Sequence, residues 1–303
     1  MERLTRLFGK SRQAYYYHKK VAIGNESIYE QVLSLVTEKR YFMPKLGGKK
    51  LYHILKPEFE KRVIKLGRDK FFEILRESDM LVKRKRNYVR TTNSRHWMRV
   101  YPNLVKNLFI NRSEQVWVSD ITYISTKQGH YYLSLVTDAY TKKIIGFKLS
   151  KTLEAYSSLQ ALQMALKSRR DTKLLIHHSD RGIQYCSHEY TETLKKHDIA
   201  ISMTENGDPY ENAIAERING ILKNEFEIHT INLDYEEAQK LVASAIITYN
   251  TKRPHLSCGL LTPEQAHHGG AELKKMWKSY PRVFNRIIKD LNGLSTFPQK
   301  EKK

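Results

Sequence analysis

Hydrophobic and β-branched residues recur in short stretches near the middle of the chain. The pattern predicts β-strands over residues 115–125, 130–137 and 143–149. The short connections between them favour an antiparallel meander. Two further apolar stretches, residues 173–178 and 199–203, are typical of buried strands. Together these stretches predict a sheet of five strands.

Helical periodicity accounts for the segments between and after the later strands. Apolar positions recur at helical spacing over residues 152–167, 187–196, 210–226 and 235–249. A strand that is reached through a helix is normally parallel to its neighbour, with a right-handed connection. The pattern therefore predicts an α/β protein with three antiparallel strands followed by helices that alternate with parallel strands. This is the order of the ribonuclease-H-like fold, a mixed five-stranded sheet flanked by helices.

The N-terminal third has a different pattern, of short helical segments. Residues 2–20 predict a short helix-turn-helix, in which Gly9 interrupts the first helix and Ser11 caps the second. A plain helical hairpin explains these residues equally well. Residues 26–82 predict small basic helices around a small core, or a helical scaffold with solvated basic faces. The expected landmarks are a helix from Ser27 to Pro44, a second over residues 49–55 before an extended turn at Pro57, and a third capped by Asp69.

Positive charge is concentrated in the same third. The chain has 53 Lys and Arg against 32 Asp and Glu, a formal net charge of +21. Residues 1–112 contain 27 of the basic and 10 of the acidic residues, which leaves 26 and 22 for residues 113–303. This asymmetry suggests a nucleic-acid-binding part joined to a separate working domain. A generally basic, soluble protein is the simpler alternative.

The composition also bears on location. The longest apolar run is too short to span a bilayer, and the N-terminus has no apolar signal core. Two cysteines, Cys186 and Cys258, are too few for a zinc cluster or a disulfide framework. We therefore expect a cytoplasmic protein with no membrane partner, associated with the nucleoid when it is bound to DNA.

The densest basic run joins the two parts of the chain. Lys83, Arg84, Lys85 and Arg86 suit contacts with DNA phosphates, although such runs are also typical of solvated linkers. The predicted organisation is a helix-turn-helix over residues 1–20, a basic helical DNA-binding region over 21–96, a linker over 97–112, an α/β core over 113–270 and a basic tail over 271–303.

Two acidic residues occupy unusual places in the predicted strands. Asp120 lies mid-strand, where acidic residues are depleted, and its burial would be costly without a metal ion or a basic partner. Asp180 follows the carboxyl end of an apolar strand, the edge at which ligands collect in open α/β sheets. The ordinary alternative for Asp120 is a salt-bridged aspartate in the core. The ordinary alternative for Asp180 is a cap for the turn at Gly182.

A third acidic residue lies on the helix predicted over residues 210–226, which Asp208 and Pro209 would begin. At about 100° per residue, the aliphatic residues cluster on one side of this helix. The opposite side carries a polar stripe of Asn212, Glu216, Asn219 and Lys223. A solvent-exposed stripe is the usual explanation. However, a mid-helix glycine costs about 1 kcal/mol relative to Ala, so Gly220 beside the stripe favours the close approach of another backbone, such as a nucleic acid strand.

Three carboxylates in this order suit Mg²⁺ or Mn²⁺, because hard cations take oxygen ligands. Two such ions about 3.5–4 Å apart can activate an attacking oxygen and stabilise a leaving one. Asp120, Asp180 and Glu216 are therefore the candidate metal ligands and catalytic residues.

The same residues lie in longer motifs. These are WVSDIT (117–122), YLSLVTD (132–138), HSDRGIQY (178–185), SMT (202–204), DPYENAIAER (208–217), LKNE (222–225), YN (249–250), RPH (253–255) and LTPEQA (261–266). In these motifs the chain resembles transposases of bacterial insertion sequences that carry a retroviral-integrase-type D-D-E catalytic core. It looks like the product of the second reading frame of such an element. The 35 residues between Asp180 and Glu216 are the spacing characteristic of that family.

The resemblance implies cleavage at the terminal inverted repeats of a mobile element, followed by attack of the freed 3′-hydroxyl on another phosphodiester. It implies a metal site formed by Asp120, Asp180 and Glu216. The expected partners are double-stranded DNA of the element ends and the target, and further copies of the chain. Many relatives also use a first-frame helix-turn-helix protein, so a partner of that kind is expected too. On the core, the expected DNA contacts are Arg181, Asn212 and Lys223.

Two other functions are compatible with the same residues. A structure-specific nuclease of the same fold would cut DNA with metal but would not join strands. A non-catalytic DNA-binding regulator would bind DNA without cutting it, although the three intact acidic residues argue against a decayed copy. Glycoside hydrolysis by a carboxylate pair does not account for the basic N-terminal third.

Overall fold

Five strands form one mixed sheet in the order β3-β2-β1-β4-β5. The computed structural model describes residues 11–83, 98–127, 129–205, 212–269 and 272–273, with only the backbone for residues 12 and 14–26. The strands are β1 (Val116–Thr126), β2 (Gly129–Asp138), β3 (Ile144–Ser150), β4 (Leu175–Ser179) and β5 (Ile199–Met203).

Strand direction changes at the centre of the sheet. β2 is antiparallel to β1 and to β3, whereas β4 is parallel to β1 and to β5. Every strand begins and ends within two residues of its predicted limits. The α/β class, the mixed sheet and the ribonuclease-H-like order are thus confirmed.

Helices precede the sheet and cover both of its faces. The N-terminal helices are α1 (Arg12–Phe42), α2 (Gly48–Lys61) and α3 (Arg68–Glu77). The later helices are α4 (Ala155–Ser168), α5 (Ile183–Cys186), α6 (His188–Lys196), α7 (Ala213–Glu225), α8 (Tyr235–Thr251) and α9 (Pro263–His268). Local sequence explains where the last two begin: the Asp234 side chain accepts the Glu237 N–H at the start of α8, and Thr262 and Gln265 form a capping box at the start of α9.

Two large hydrophobic clusters lie on opposite faces of the sheet. One contains Trp117 of β1 and residues of α4 and α6 such as Leu162 and Tyr190. The other contains residues of β1, α7 and α8 together with residues of all three N-terminal helices, such as Leu51. The N-terminal helices therefore pack against α7 and α8 and share one core with them.

A close contact joins α4 to the sheet at Gly146 of β3. A Cβ atom at this position would lie 2.1 Å from the backbone oxygen of Ala161 and 3.0 Å from the backbone nitrogen of Ala165. Only glycine allows α4 to lie this near to the strand. Ala161 and Ala165 of α4 are small and buried, and they also allow the helix backbone to lie close to β3.

The segment predicted as a linker packs against β5. The Leu104 N–H donates to Ser202 Oγ at 2.9 Å, and the Met203 N–H donates to the Pro102 carbonyl at 3.3 Å. Val105 and Leu108 pack against a small cluster beside β1 and β4. In the part of the chain that the structure describes, no helix is both long and apolar enough to cross a membrane.

The N-terminal helix differs from the prediction. α1 is one continuous helix of 31 residues, so the second helix of the expected helix-turn-helix does not end at residue 20, and Ser27 lies inside α1 rather than before it. A single glycine, Gly24, disfavours a helix by only about 1 kcal/mol, which is too little to end one here. The expected first helix falls within residues 1–10, outside the described residues.

Two further predictions in this region are wrong. Pro57 does not mark an extended turn but lies inside α2. It is exposed, and Leu55 and Phe59 on either side of it are buried. Burial of these two side chains outweighs the lost hydrogen bond, which costs about 3 kcal/mol. Asp69 does not cap α3: the helix begins after Gly67, and Asp69 lies in the first turn.

Candidate active site

Asp120 lies in β1, the central strand. Its Oδ1 accepts the Ile121 N–H at 3.0 Å, and its Oδ2 accepts the side-chain amide of Asn219 on α7 at 2.7 Å. Among the described residues, no lysine or arginine forms an ion pair with this half-buried carboxylate. Its partner within the protein is therefore a neutral amide and not the basic residue of a core salt bridge.

Asp180 lies at the end of β4, which runs parallel to β1. Its Oδ1 accepts the Gly182 N–H at 3.0 Å, so the aspartate does cap the turn that follows. A Cβ on Gly182 would lie 3.0 Å from the same oxygen. The neighbouring Arg181 donates from Nε to the Thr204 carbonyl at 2.5 Å. Capping holds the Asp180 carboxylate at the carboxyl edge of the sheet.

Glu216 lies in the first turn of α7 and is exposed. The sequence predicted a helix from residue 210 with Glu216 in its middle, but the α-helix begins at Ala213 with Asn212 as its N-cap residue. The expected cap, Asp208, lies outside the described residues. The shift brings Glu216 to the end of the helix where backbone N–H groups favour negative charge.

Two amides of the predicted polar stripe face the sheet rather than solvent. Asn212 and Asn219 are both buried. Asn212 donates from Nδ2 to the Ser119 carbonyl at 3.1 Å, and Asn219 donates to Asp120. These two bonds attach α7 to adjacent residues of β1. Asn212, which we expected to contact DNA, uses its side-chain amide for a bond within the protein.

The electrostatics connect all three acidic residues. Burial raises the pKa of Asp120 to about 7, the negative charge of Asp180 adds to this rise, and Glu216 contributes further. The hydrogen bonds from Asn219 and Ile121 oppose the rise. Such charge effects require proximity, so Asp180 and Glu216 both lie within electrostatic reach of Asp120.

Lys223 also lies within electrostatic reach of Asp120. Burial lowers the pKa of this half-buried lysine, and the Asp120 carboxylate opposes that change. Lys223 is two turns beyond Glu216 on α7. The helix thus presents one acidic and one basic side chain on the side that carries the amides bonded to β1.

His177, Ser119 and Tyr190 form a buried polar network that was not predicted from the sequence. His177 Nε2 lies 2.7 Å from Ser119 Oγ and 2.9 Å from the Tyr190 hydroxyl. Burial lowers the pKa of His177 to about 3, with a further contribution from His178, so the ring is neutral. The only signal in the sequence was a pair of histidines inside an otherwise apolar strand. The network ties β1, β4 and α6 together, and its Ser119 directly precedes Asp120 in the chain.

The predicted basic contacts are only partly described. Lys83 is exposed and pairs with Asp79 at 3.5 Å. Arg84, Lys85 and Arg86 lie outside the described residues, as does the tail predicted over 271–303 except for residues 272 and 273.

Comparison with protein families identifies this region. Residues 110–209 match a family model described as an integrase core domain, and residues 197–263 match a second model with the same description. With the mixed sheet, these matches define the class of protein: a polynucleotidyl transferase of the integrase type, a class of metal-dependent enzymes.

Comparison with individual proteins identifies the family within this class. The chain is 33% identical over 264 residues to an uncharacterized 31 kDa protein of insertion element IS600 from Shigella sonnei, covering 86% of this chain and 96% of that protein. It is 35% identical over 197 residues to the transposase InsF for insertion sequence IS3A from Escherichia coli, covering 63% of this chain and 67% of that one. The chain belongs to the IS3 family of bacterial insertion-sequence transposases, and its substrate is DNA.

Among solved structures, the catalytic core domain of HTLV-2 integrase in complex with magnesium is similar, with a TM-score of 0.43 and 22% identity. That match covers 52% of this chain and 98% of the integrase core chain.

Proposed function

We propose that Asp120, Asp180 and Glu216 are the catalytic residues of this transposase and hold its divalent metal ions. The chain would cut DNA at the terminal inverted repeats of its element and join the freed ends to a target. One observation carries this assignment: a strand-centre aspartate lies within electrostatic reach of two other acidic residues and has no basic ion-pair partner among the described residues. Like charges raise the pKa of a carboxyl group unless a cation offsets them.

The donor set suits Mg²⁺ or Mn²⁺. All three side chains offer carboxylate oxygens, the ligands that hard cations take. Among the residues the structure describes, no three acidic, histidine or cysteine side chains already enclose a position for an ion. Asp120 and Asp180 accept hydrogen bonds from Asn219 and Gly182, and Glu216 is exposed in the first turn of α7.

The chain's own groups orient these carboxylates. Asn219 donates to one oxygen of Asp120, and the Gly182 N–H donates to one oxygen of Asp180. Bound metal would activate the attacking oxygen and stabilise the leaving oxygen of the phosphodiester. Lys223, within reach of Asp120, is placed to contact a phosphate of the element end.

DNA binding would extend from this edge to the basic N-terminal region. That region includes Lys83 and the run Arg84 to Arg86, whose charges suit phosphate contacts. Because an element has two ends, we propose that the chain works as a homo-oligomer on DNA. A first-frame helix-turn-helix protein would be a further partner.

The decisive experiment supplies purified protein with Mg²⁺ or Mn²⁺ and DNA that carries the element's own ends. Asp120→Asn removes the central carboxylate. Glu236→Gln is a matched control, because Glu236 is an exposed acidic residue in the first turn of the neighbouring helix α8. We expect cleaved and joined products from the wild type and from Glu236→Gln, and neither product from Asp120→Asn.

Other outcomes would contradict the proposal. Cleavage of any sequence without joining would indicate a nuclease. Tight, salt-sensitive binding without cleavage would indicate a DNA-binding regulator. Full activity of Asp120→Asn would exclude the assigned metal site, whatever the reaction.

A further inference from the structure

A buried charge cluster joins the far end of α7 to the N-terminal helices. Glu225, the last residue of α7, accepts the Arg253 Nε at Oε2 and the Arg253 Nη2 at Oε1, both at 2.8 Å. The Lys50 Nζ of α2 donates to Oε1 of the same carboxylate at 3.1 Å. Arg253 is 1% exposed and Lys50 is 8% exposed. Three distant parts of the chain thus meet at one carboxylate.

The backbone forms a second link at the same place. The Lys45 N–H donates to the Glu225 carbonyl at 3.0 Å, which satisfies one of the free carbonyl groups at the end of α7. The Lys45 side chain also pairs with Glu227. Around these polar contacts, Leu51 of α2 and Ile221 and Leu222 of α7 belong to one hydrophobic cluster. The end of α7 is therefore held from the side of the N-terminal helices.

Within the cluster, Arg253 and Lys50 have different roles. The guanidinium of Arg253 binds both oxygens of Glu225 and neutralises its charge. Lys50 adds a second positive charge that the pair does not need. Burial and the charge of Arg253 together lower the pKa of Lys50 to about 8, although Glu225 opposes this change. Buried charges of this kind contribute little net stability but can select one arrangement of the elements that carry them.

α7 can transmit that arrangement to the active site. Glu216 lies in its first turn and Glu225 at its end, nine residues later. At about 1.5 Å per residue, this separation is roughly 14 Å along the helix axis. Because a helix of this length is stiff, a change in the position of Glu225 would rotate or tilt the first turn, where Glu216 lies within electrostatic reach of Asp120.

We propose that Lys50 is a positioning residue for the strand-transfer reaction: from α2 it holds Glu225, and so sets the orientation of α7 and the position of Glu216. This inference rests on the catalytic role proposed for Glu216. It makes the N-terminal helices part of the catalytic unit rather than only a DNA-binding attachment, since DNA bound to them would be held in a set relation to α7.

The test compares Lys50→Met with two matched variants at pH 7. Lys49→Met removes the neighbouring lysine of α2, which is exposed. Lys50→Arg keeps the charge and can restore the contact. Three quantities are measured on the full chain: the dissociation constant for end DNA, the rate of strand transfer from saturated complexes, and amide hydrogen exchange of α7 without DNA.

For Lys50→Met we expect an unchanged dissociation constant, faster exchange in α7 and strand transfer slowed by about ten- to a hundredfold, as for a small misplacement of a catalytic group. Lys49→Met should resemble the wild type, and Lys50→Arg should recover most of the rate. If Lys50→Met does not fold, Lys50→Gln, which keeps a hydrogen-bond donor without the charge, takes its place with the same expectations.

Two results would overturn the proposal. One is normal strand transfer by Lys50→Met, and the other is a loss that appears only in DNA affinity. Failure of the proposed function looks different: the wild type itself would transfer no strands, while the exchange of α7 would still separate Lys50→Met from Lys49→Met.

Discussion

Replacing Asp120 by asparagine should stabilise the metal-free protein, although it should abolish the reaction. Burial and the charges of Asp180 and Glu216 raise the pKa of Asp120 from 3.8 to about 7. A carboxyl group whose pKa is raised by folding favours the folded state at low pH, and this contribution is lost as the pH rises towards 7. The ionised Asp120 is therefore unfavourable at neutral pH.

The size of the expected gain in folding stability follows from the change in the pKa of Asp120. A rise from 3.8 to about 7 corresponds to roughly 4 kcal/mol at about 1.4 kcal/mol per tenfold change. Solvent contact of the half-buried carboxylate reduces this figure. The amide introduced by the substitution has one acceptor oxygen where the carboxylate had two. However, Asn219 Oδ1 is buried and has no hydrogen-bond partner among the described residues, so the Asn219 side chain can flip and accept from the new amide. We expect a gain of about 2–3 kcal/mol at pH 7.5.

The assay is urea unfolding of wild type, Asp120→Asn and the control Glu236→Gln from pH 5 to 8, with and without Mg²⁺. The advantage of Asp120→Asn should grow from pH 5 to about pH 7, the raised pKa of Asp120, and level off above it. Added Mg²⁺ should stabilise the wild type and Glu236→Gln but not Asp120→Asn, because a ligand stabilises only the state that binds it. An advantage that is absent, or that does not change with pH, would show that Asp120 does not lie among like charges.

Three other substitutions test particular contacts. Pro57→Ala should raise the free energy of unfolding in urea by about 1–3 kcal/mol, since the helix α2 regains a hydrogen bond; lower stability would mean that the proline ring itself packs usefully. Lys223→Ala should weaken binding to all DNA sequences and reduce the slope of the logarithm of the binding constant against the logarithm of salt concentration by about one. Lys240→Ala, on the exposed side of α8, should do neither, and a change in sequence preference for Lys223→Ala would contradict a phosphate contact. Gly220→Ala should raise the thermal midpoint by the equivalent of about 1 kcal/mol, because the nearest atom to an added Cβ is Asn224 Nδ2 at 4.0 Å, and it should slow strand transfer. Unchanged transfer would refute the close approach of a DNA strand to Gly220.

Much of the catalytic half could be predicted because its signals are local. Runs such as 116–126 combine β-branched and aromatic residues, and their alternation with turns predicts strands almost to the residue. The order of strands and helices then predicts the sheet, since parallel connections have one hand. The acidic residues stood out for the same reason: an aspartate in mid-strand and another at a strand end conflict with their surroundings unless they have a function.

Where prediction was wrong, distant contacts outweighed local preference. Pro57 is compatible with a helix because Leu55 and Phe59 are buried on its other side. The attachment of α7 to β1 depends on amide bonds from Asn212 and Asn219, between residues about 90 to 100 positions apart. Periodicity correctly separated the aliphatic side of this helix from its polar side. It could not show that the two amides of the polar side turn towards the sheet.

The residues and their spacing were enough to establish the fold class, the three candidate carboxylates and the transposase family, because each depends on patterns within a few tens of residues. The partners of those carboxylates were decided by the tertiary structure. Asn219 bonded to Asp120, the neutral His177 behind it and the meeting of Lys50, Glu225 and Arg253 all join residues far apart in the chain. A hydrogen bond forms between whichever groups the packing of helices and strands brings within about 3 Å, and no local pattern in the chain records that choice.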